Sequence, residues 1–259
     1  MKLRTVLGVF TVVVVVVSVF LFTALQERQA SAAEIDAAAL SLQGWAQTGV
    51  VEKTSMDVDF VTKLRINIAM LTYADTKVLG QMNDEKNRIV NSYKALYPSL
   101  AGSINVPDIS LGQGPTLATV RVMPPMIADF FKGEVVKMVS DNLVPQYLSM
   151  AAKSGVQNFK KAGETQLTVK GRSVTAALYE GSVNVDLLGN RIPVKVKGVF
   201  AVWADTGIVA AMGITLAGGI SYEYKVGPLV VPFSFNFENS GASGGSEFNE
   251  VLKLIESIS

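Results

Sequence analysis

The amino-acid sequence predicts an α+β fold: a mainly antiparallel, twisted sheet with flanking amphipathic helices, carried behind one N-terminal transmembrane helix. Three observations lead there. Val6 to Leu25 runs for twenty residues without a charge. At about 1.5 Å per residue that run spans roughly 30 Å, the thickness of a hydrocarbon core. From Glu164 to Leu216, apolar alternation is broken only by short turns containing glycine, and strands joined so tightly must run antiparallel. The third observation is helical periodicity on either side of these strands, ending in the stripe Phe248, Val251, Leu252, Ile255 and Ile258.

Lys2 and Arg4 precede the uncharged run, so the positive-inside bias puts the N-terminus in the cytoplasm and the rest of the chain across the membrane. Val6, Phe10, Val14, Val17, Phe20 and Leu25 are the expected anchor residues. Ala30-Ser31-Ala32 also fits the small-x-small pattern of a signal-peptidase site. The alternative is therefore a secreted product cleaved near Ala32, with the same topology. Residues 1–32 are read as an anchor or signal segment and 33–259 as a single extracytoplasmic domain, large enough to bury its own core.

The elements follow in order. Ile35, Ala39, Leu42 and Trp45 recur at helical spacing, which predicts a helix over 34–46 ended by Gly49 and leaves Trp45 either docked on the core or anchored at a membrane surface. Alternation through Val58, Phe60, Leu64, Ile66, Ile68 and Met70 predicts a pair of half-buried strands. Asn83-Asp84 should cap a helix running to Tyr97, its apolar face made of Ile89, Val90, Tyr93, Leu96 and Tyr97 and its end set by Pro98. Residues 99–115 hold Gly102, Pro107, Gly112, Gly114 and Pro115 and read as a long loop within one domain. Thr116 to Met123 alternates as a strand and stops at Pro124-Pro125. Residues 126–154 read as helix in two or three pieces, with Phe130 and Phe131 on the apolar face and a break where Pro145 lacks its donor.

Strands are then expected over 164–170, 173–186, 191–204 and 208–216, with turns at Gly171-Arg172, Gly189-Asn190 and Asp205-Thr206-Gly207. Gly227 to Phe237 carries Pro228 and Pro232 and belongs on a sheet edge. Ser240 to Ser246 reads as a flexible linker, and Ser246 as the N-cap of the last helix.

Composition removes whole classes of chemistry. The chain has no cysteine and no histidine, so thiolate nucleophiles, disulfides, iron-sulfur clusters, imidazole bases and imidazole metal ligands are all excluded. Residues 33–259 carry 20 basic and 21 acidic groups, and no Lys/Arg run exceeds Lys160-Lys161. No basic face is available to displace counterions from nucleic acid. No Asn-x-Ser/Thr acceptor occurs.

Local motifs are few. Asp205-Thr206-Gly207 has the look of an aspartic-protease half-site, but such an enzyme needs two carboxylates sharing a proton. One copy is present, followed by Ile208, and Asp-x-Gly is ordinary turn chemistry. Gly241-Ala242-Ser243-Gly244-Gly245 lacks the lysine of a phosphate loop and any base for Ser243. A Ser/Lys hydrolase built on Ser173 or Ser243 would need a lysine brought within reach by the fold. Asp57, Asp59, Asp84, Glu85 and Asp141 are too scattered for a calcium loop, although distant carboxylates can converge in space. No cofactor and no catalytic or metal-ligating residue is assigned. Trp203, Tyr222 and Tyr224 stand as interaction aromatics, against the plainer reading that they pack the sheet.

One longer pattern remains: Gly163-Glu164, Leu167, Val169 and Gly171, then Tyr179, then Gly198, Phe200-Ala201-Val202-Trp203 and Gly207, then the Phe248 to Ile255 helix. Over roughly residues 115–258 this resembles PsbP/Mog1-like extracytoplasmic domains and is similar to membrane-anchored archaeal domains of unknown function. The resemblance implies an antiparallel sheet flanked by helices and an accessory or binding role without catalysis. The function expected is that of a non-catalytic, membrane-anchored envelope protein of a prokaryote, an accessory subunit or surface interaction domain with a protein partner. The alternative is a binder of a small apolar or amphipathic ligand, recognisable by a pocket of roughly 300 Å³ or more between sheet and helices.

Overall fold

The computed structural model describes residues 28–59, 63–109, 114–124, 132–187, 190–227, 229–242 and 245–259. The expected anchor residues Val6, Phe10, Val14, Val17, Phe20 and Leu25 lie outside them, as do Phe130, Phe131 and Ser243. No helix among the described residues is long and apolar enough to cross a membrane.

The fold is α+β. Its order is α1 (Ala37–Gln43), β1 (Trp45–Gln47), β2 (Glu52–Asp59), β3 (Lys63–Asp75), α2 (Val78–Leu96), β4 (Thr116–Met123), α3 (Lys132–Lys153), β5 (Val156–Val169), β6 (Arg172–Leu187), β7 (Asn190–Asp205), β8 (Gly207–Ala217), β9 (Gly219–Val226), β10 (Leu229–Asn236) and α4 (Glu247–Glu256). Eight strands form one sheet in the order β1-β3-β4-β8-β7-β6-β5, with β2 sharing the β1 side of β3. Every pairing is antiparallel. The β5-β6 hairpin shows why the sequence folds this way. Lys170 and Gly171 both take positive φ, 50° and 73°, between the directly paired Val169 and Arg172, the two-residue turn whose twist matches that of the strands.

Helices cover both faces of this sheet, so β8 is apolar on both sides. α4 lies over Val209 and Ala211, with Leu71, Tyr73, Val199 and Trp203 around it, while α3 lies over Ala210 and Met212 with Ile66, Val120 and Phe200. Full burial of Val251, Leu254 and Ile255 contributes about 1.5–3 kcal/mol each before entropy is counted. A third cluster joins α2 to the separate two-stranded β9-β10 sheet through Val78, Met82, Phe233 and Phe237. The C-terminal residue is tied to the segment before α1 and to β4: Ser259 donates its N–H to Glu34 O at 2.8 Å, and Arg121 reaches Ser259 O at 2.9 Å.

Several sequence expectations are corrected. The first helix stops at Gln43, where Gly44 takes φ 68°. Trp45 opens a strand and is buried, whereas Leu42 stands 73% exposed, so Trp45 docks on the core. α2 starts at Val78, five residues before Asn83, because Asp75 Oδ1 accepts from the N–H groups of Lys77 at 2.6 Å and Val78 at 3.1 Å. Asn83 instead pins the long loop, exchanging two hydrogen bonds with the backbone of Ile109. The buried stripe of α2 is Val78, Met82, Lys86 and Val90; Leu96 is exposed.

α3 does not break at Pro145. That residue is exposed, so water can take the freed carbonyl one turn back, and the burial of Val139, Tyr147 and Ala151 on either side offsets the lost bond. β5 begins at Val156, eight residues earlier than expected. The stretch after Gly227 is an edge strand, as expected, and its sheet is the two-stranded one in which it pairs with β9.

Candidate ligand-binding site

α3 approaches β5, β7 and β8 more closely than the other half of the sheet. On the close side aromatic rings fill the gap. Tyr147 makes edge-on contacts with Phe159 at 5.5 Å and Tyr179 at 5.4 Å, and its hydroxyl donates to Gly213 O at 2.7 Å. Gly198 permits the approach, since a Cβ there would lie 2.4 Å from both Tyr147 Oη and Phe159 Cζ. Burial first, then the neighbouring Tyr179, pushes the Tyr147 phenol well above its ordinary range. Proton transfer by that group near neutral pH is therefore shut off.

Among the described residues that line the far side there is no aromatic ring. Ile66, Ile68, Val120 and Val122 form the floor, Val139 and Leu143 the roof, and a pocket of about 330 Å³ remains between them. Met70, Met138, Met150 and Met212 contribute to its walls; their unbranched, polarizable side chains fit irregular occupants. The polar groups lining it are Glu52, Lys53 and Thr54 on β2 and Asn142 and Gln146 on α3, all of them exposed. An apolar lining with a few polar groups, at this volume, is the usual character of a small-molecule site. Among the described residues, the titratable groups that line it, Glu52 and Lys53, are exposed.

Two other hollows are more polar. A groove of about 920 Å³ between α2 and the β9-β10 sheet is lined by Asp84, Glu85, Arg88 and Glu238. A second of about 520 Å³ holds Lys153 and Arg191. In the groove, Arg88 hydrogen-bonds Glu85 and holds its carboxyl below the usual value.

A second constellation, which no local motif marks, lies at the start of α4. Asp75, Glu247 and Glu250 each bring a carboxylate oxygen to within 4.8 Å of the others, and these three could hold a metal ion. Glu247 and Glu250 are buried. Ser240 donates to Glu247 Oε1 at 2.8 Å, Lys77 Nζ stands 3.4 Å from both Glu250 oxygens, and the Ala242 N–H donates to Glu250 Oε1. Burial, then the adjacent Asp75, pushes Glu247 up to about 8. The expected flexible linker is thus corrected at its described positions: Ser240 is buried, Gly241 donates to Gly245 O, and 240–242 fold against the two glutamates.

The residues singled out by sequence are not gathered together. Asp205 pairs with Lys170 at 3.0 Å and Arg121 at 3.8 Å across from the β7-β8 turn. Its carboxyl, raised by burial but lowered more by Lys170, ends below its ordinary value, the state of an ion-pair partner rather than half of an acid dyad. Ser173 donates to Gln166. Trp203 is buried in the core under α4 and packs the sheet. Tyr222 and Tyr224 lie on β9, bonded to Asn190 and to the Asn105 carbonyl.

The family model described as Domain of unknown function (DUF6517) matches residues 32–259, which takes in every element of the fold. The chain belongs to the DUF6517 family. No curated protein and no solved structure matches it. In this DUF6517 chain both the methionine-lined pocket and the carboxylate cluster fall inside the matched region, and the uncharged run Val6 to Leu25 precedes it.

Proposed function

We propose that this DUF6517 chain is a non-catalytic, membrane-tethered, extracytoplasmic protein that binds a small apolar or amphipathic molecule between its sheet and α3. The observation that carries this reading is the unfilled apolar pocket. Its largely apolar walls, open to water beside exposed residues of β2 and α3, are surface that an apolar occupant would cover, at roughly 25 cal/mol per Å². A fold that packs four aromatic rings under one half of α3 and leaves this space under the other half is suited to an occupant. Lys53, Asn142 and Gln146 line the same pocket, so an amphipathic molecule with an anionic or polar head satisfies both ends of the site.

The test is equilibrium binding of a medium-chain fatty acid such as dodecanoate to the chain from Arg28 onward, which contains every core cluster described above. One molecule bound per chain, lost when the pocket is filled by Met138→Trp, is the expected result. Binding that ignores this substitution would place the ligand elsewhere. A second reading, an accessory subunit docked on a protein partner, draws on Leu42 and Val50, which are 73% and 81% exposed on either side of β1 in the chain. Under that reading Leu42→Glu with Val50→Glu abolishes co-purification of a partner and leaves dodecanoate binding intact.

A further inference from the structure

We propose that Asp75, Glu247 and Glu250 form a site for one hard divalent cation of the calcium class, tying the end of β3 to the first turn of α4. Oxygens ligating a single Ca²⁺ at about 2.3–2.6 Å can be no more than about 5 Å apart. The three carboxylates meet that condition, with ligand oxygens all within 4.8 Å of one another.

The hydrogen-bond inventory points to a missing occupant. Asp75 Oδ1 is taken by the N–H groups of Lys77 and Val78, Glu247 Oε1 by the Ser240 hydroxyl, and Glu250 by the Ala242 N–H and Lys77 Nζ. On Asp75 and Glu247 the second oxygen is left without a donor. Asp75 Oδ2 and Glu247 Oε2 are buried without any hydrogen-bond partner. Glu247 is fully buried and lies within hydrogen-bonding reach of Asp75, so its unpartnered oxygen belongs to the cluster and not to solvent. Two buried carboxyl oxygens facing each other need either a shared proton or a cation between them.

Charge and ligand chemistry set the class of ion. Three acids face one ammonium, Lys77, whose contacts with both Glu250 oxygens are long at 3.4 Å and whose side chain is 23% exposed. A divalent ion balances the surplus, and Lys77 can swing outward to make room. All the ligand atoms are carboxylate oxygens, the set preferred by calcium, magnesium and manganese over softer metals. The Gly241 position leaves no room for a side chain beside the acids: a Cβ there would lie 2.7 Å from Gly245 O and 2.9 Å from Glu250 Oε1.

The experiment is calorimetric titration of the full chain, purified in mild detergent and stripped with a chelator, with CaCl₂, MgCl₂ and MnCl₂ at pH 8, where protons compete least. Binding of one ion per chain is expected. A hundredfold excess over Kd should raise Tm by about 5–10 °C. Glu247→Gln, which keeps the volume and the Ser240 bond, should weaken binding at least tenfold. Lys77→Met removes the competing ammonium and should tighten binding severalfold, a gain that loss of a merely structural ion pair would not produce. Absence of binding by all three ions up to millimolar concentration, with the wild-type chain folded, would mean that a proton fills the gap between Asp75 and Glu247, and would overturn the proposal. Unchanged affinity in Lys77→Met and Glu247→Gln would overturn it equally, by placing the ion elsewhere.

Discussion

Replacing Met138 with tryptophan sends an indole into the space under α3, and its consequences separate a binding pocket from an ordinary packing fault. Met138 lines the pocket and is only partly buried, so the helix can carry the larger side chain. Covering the apolar walls with the indole contributes at most about 1.5–3 kcal/mol. Crowding of the neighbouring methionines costs about 1–3 kcal/mol. These nearly cancel, and the ligand-free variant should melt within a few degrees of wild type. Ligand response changes far more. Dodecanoate at a hundred times its Kd stabilises the wild-type chain by about 2.7 kcal/mol, or about 5–10 °C at roughly 2–4 °C per kcal/mol. In Met138→Trp that shift should vanish, while Met138→Leu should keep it. Thermal melts followed by circular dichroism, with and without ligand, read both quantities. A full ligand shift in the tryptophan variant would show that the pocket is not the site. A ligand-free Tm lowered by more than about 10 °C would show that the space is close-packed core.

Three further outcomes follow from particular contacts. Glu247 releases its proton near pH 8 in the folded chain, against an ordinary value of 4.5. Its contribution to stability is therefore fully present below about pH 4.5 and is lost as pH rises through about 8. In chelator, wild type should lose on the order of a few kcal/mol more between pH 6 and pH 9 than Glu247→Gln does, measured by urea midpoints; parallel losses would disprove the assignment. Gly198→Ala drives a methyl to 2.4 Å from Tyr147 Oη and Phe159 Cζ and should lower stability by about 1–3 kcal/mol at unchanged m. A neutral effect would mean that the aromatic cluster yields freely. Lys86→Met strips the donor from the Pro107 carbonyl, 3.2 Å away, and should cost about 1–3 kcal/mol. Limited proteolysis should then cut first within 99–115, and an unchanged cleavage pattern would sink the idea that Lys86 holds that loop.

Legibility in the sequence followed the range of the interactions involved. β4 is read to the residue, Thr116 to Met123, because Gly114-Pro115 and Pro124 bracket it. The Ser246 cap and the α4 stripe are equally plain, since a side chain and a backbone N–H three residues on form a local contact. The start of α2 was hidden because its cap, Asp75, stands before it with Gly80 diluting the pattern that follows. The carboxylate cluster joins residues 172 positions apart along the chain, beyond any local rule. One signal was available: a period of 3.6 places Glu247 and Glu250 on the face that holds Val251, Leu254 and Ile255. Acids on an apolar stripe ask for a partner. Reading the stripe through Phe248 and Leu252, which are only partly buried, turned the helix just enough to miss them. The pocket has no sequence signal, because unfilled volume is a property of how α3 tilts.

The segment that follows the proposed tether and the pocket lie on opposite faces of one strand. Asn67 donates to the Arg28 carbonyl at 2.9 Å, and Ala30 packs on Ala69 and Met123. Ile66, Ile68 and Met70 alternate with those same residues along β3 and line the pocket, so the chain enters the fold on the face opposite the site, one sheet thickness away. Two residues separate Leu25, the end of the uncharged run, from Arg28, and the three Cα-to-Cα steps reach at most about 11 Å. If the run is embedded as proposed, β3 would be held close to the headgroups with the sheet between them and the pocket, and an amphipathic molecule leaving the bilayer would have to pass round the sheet to reach the site.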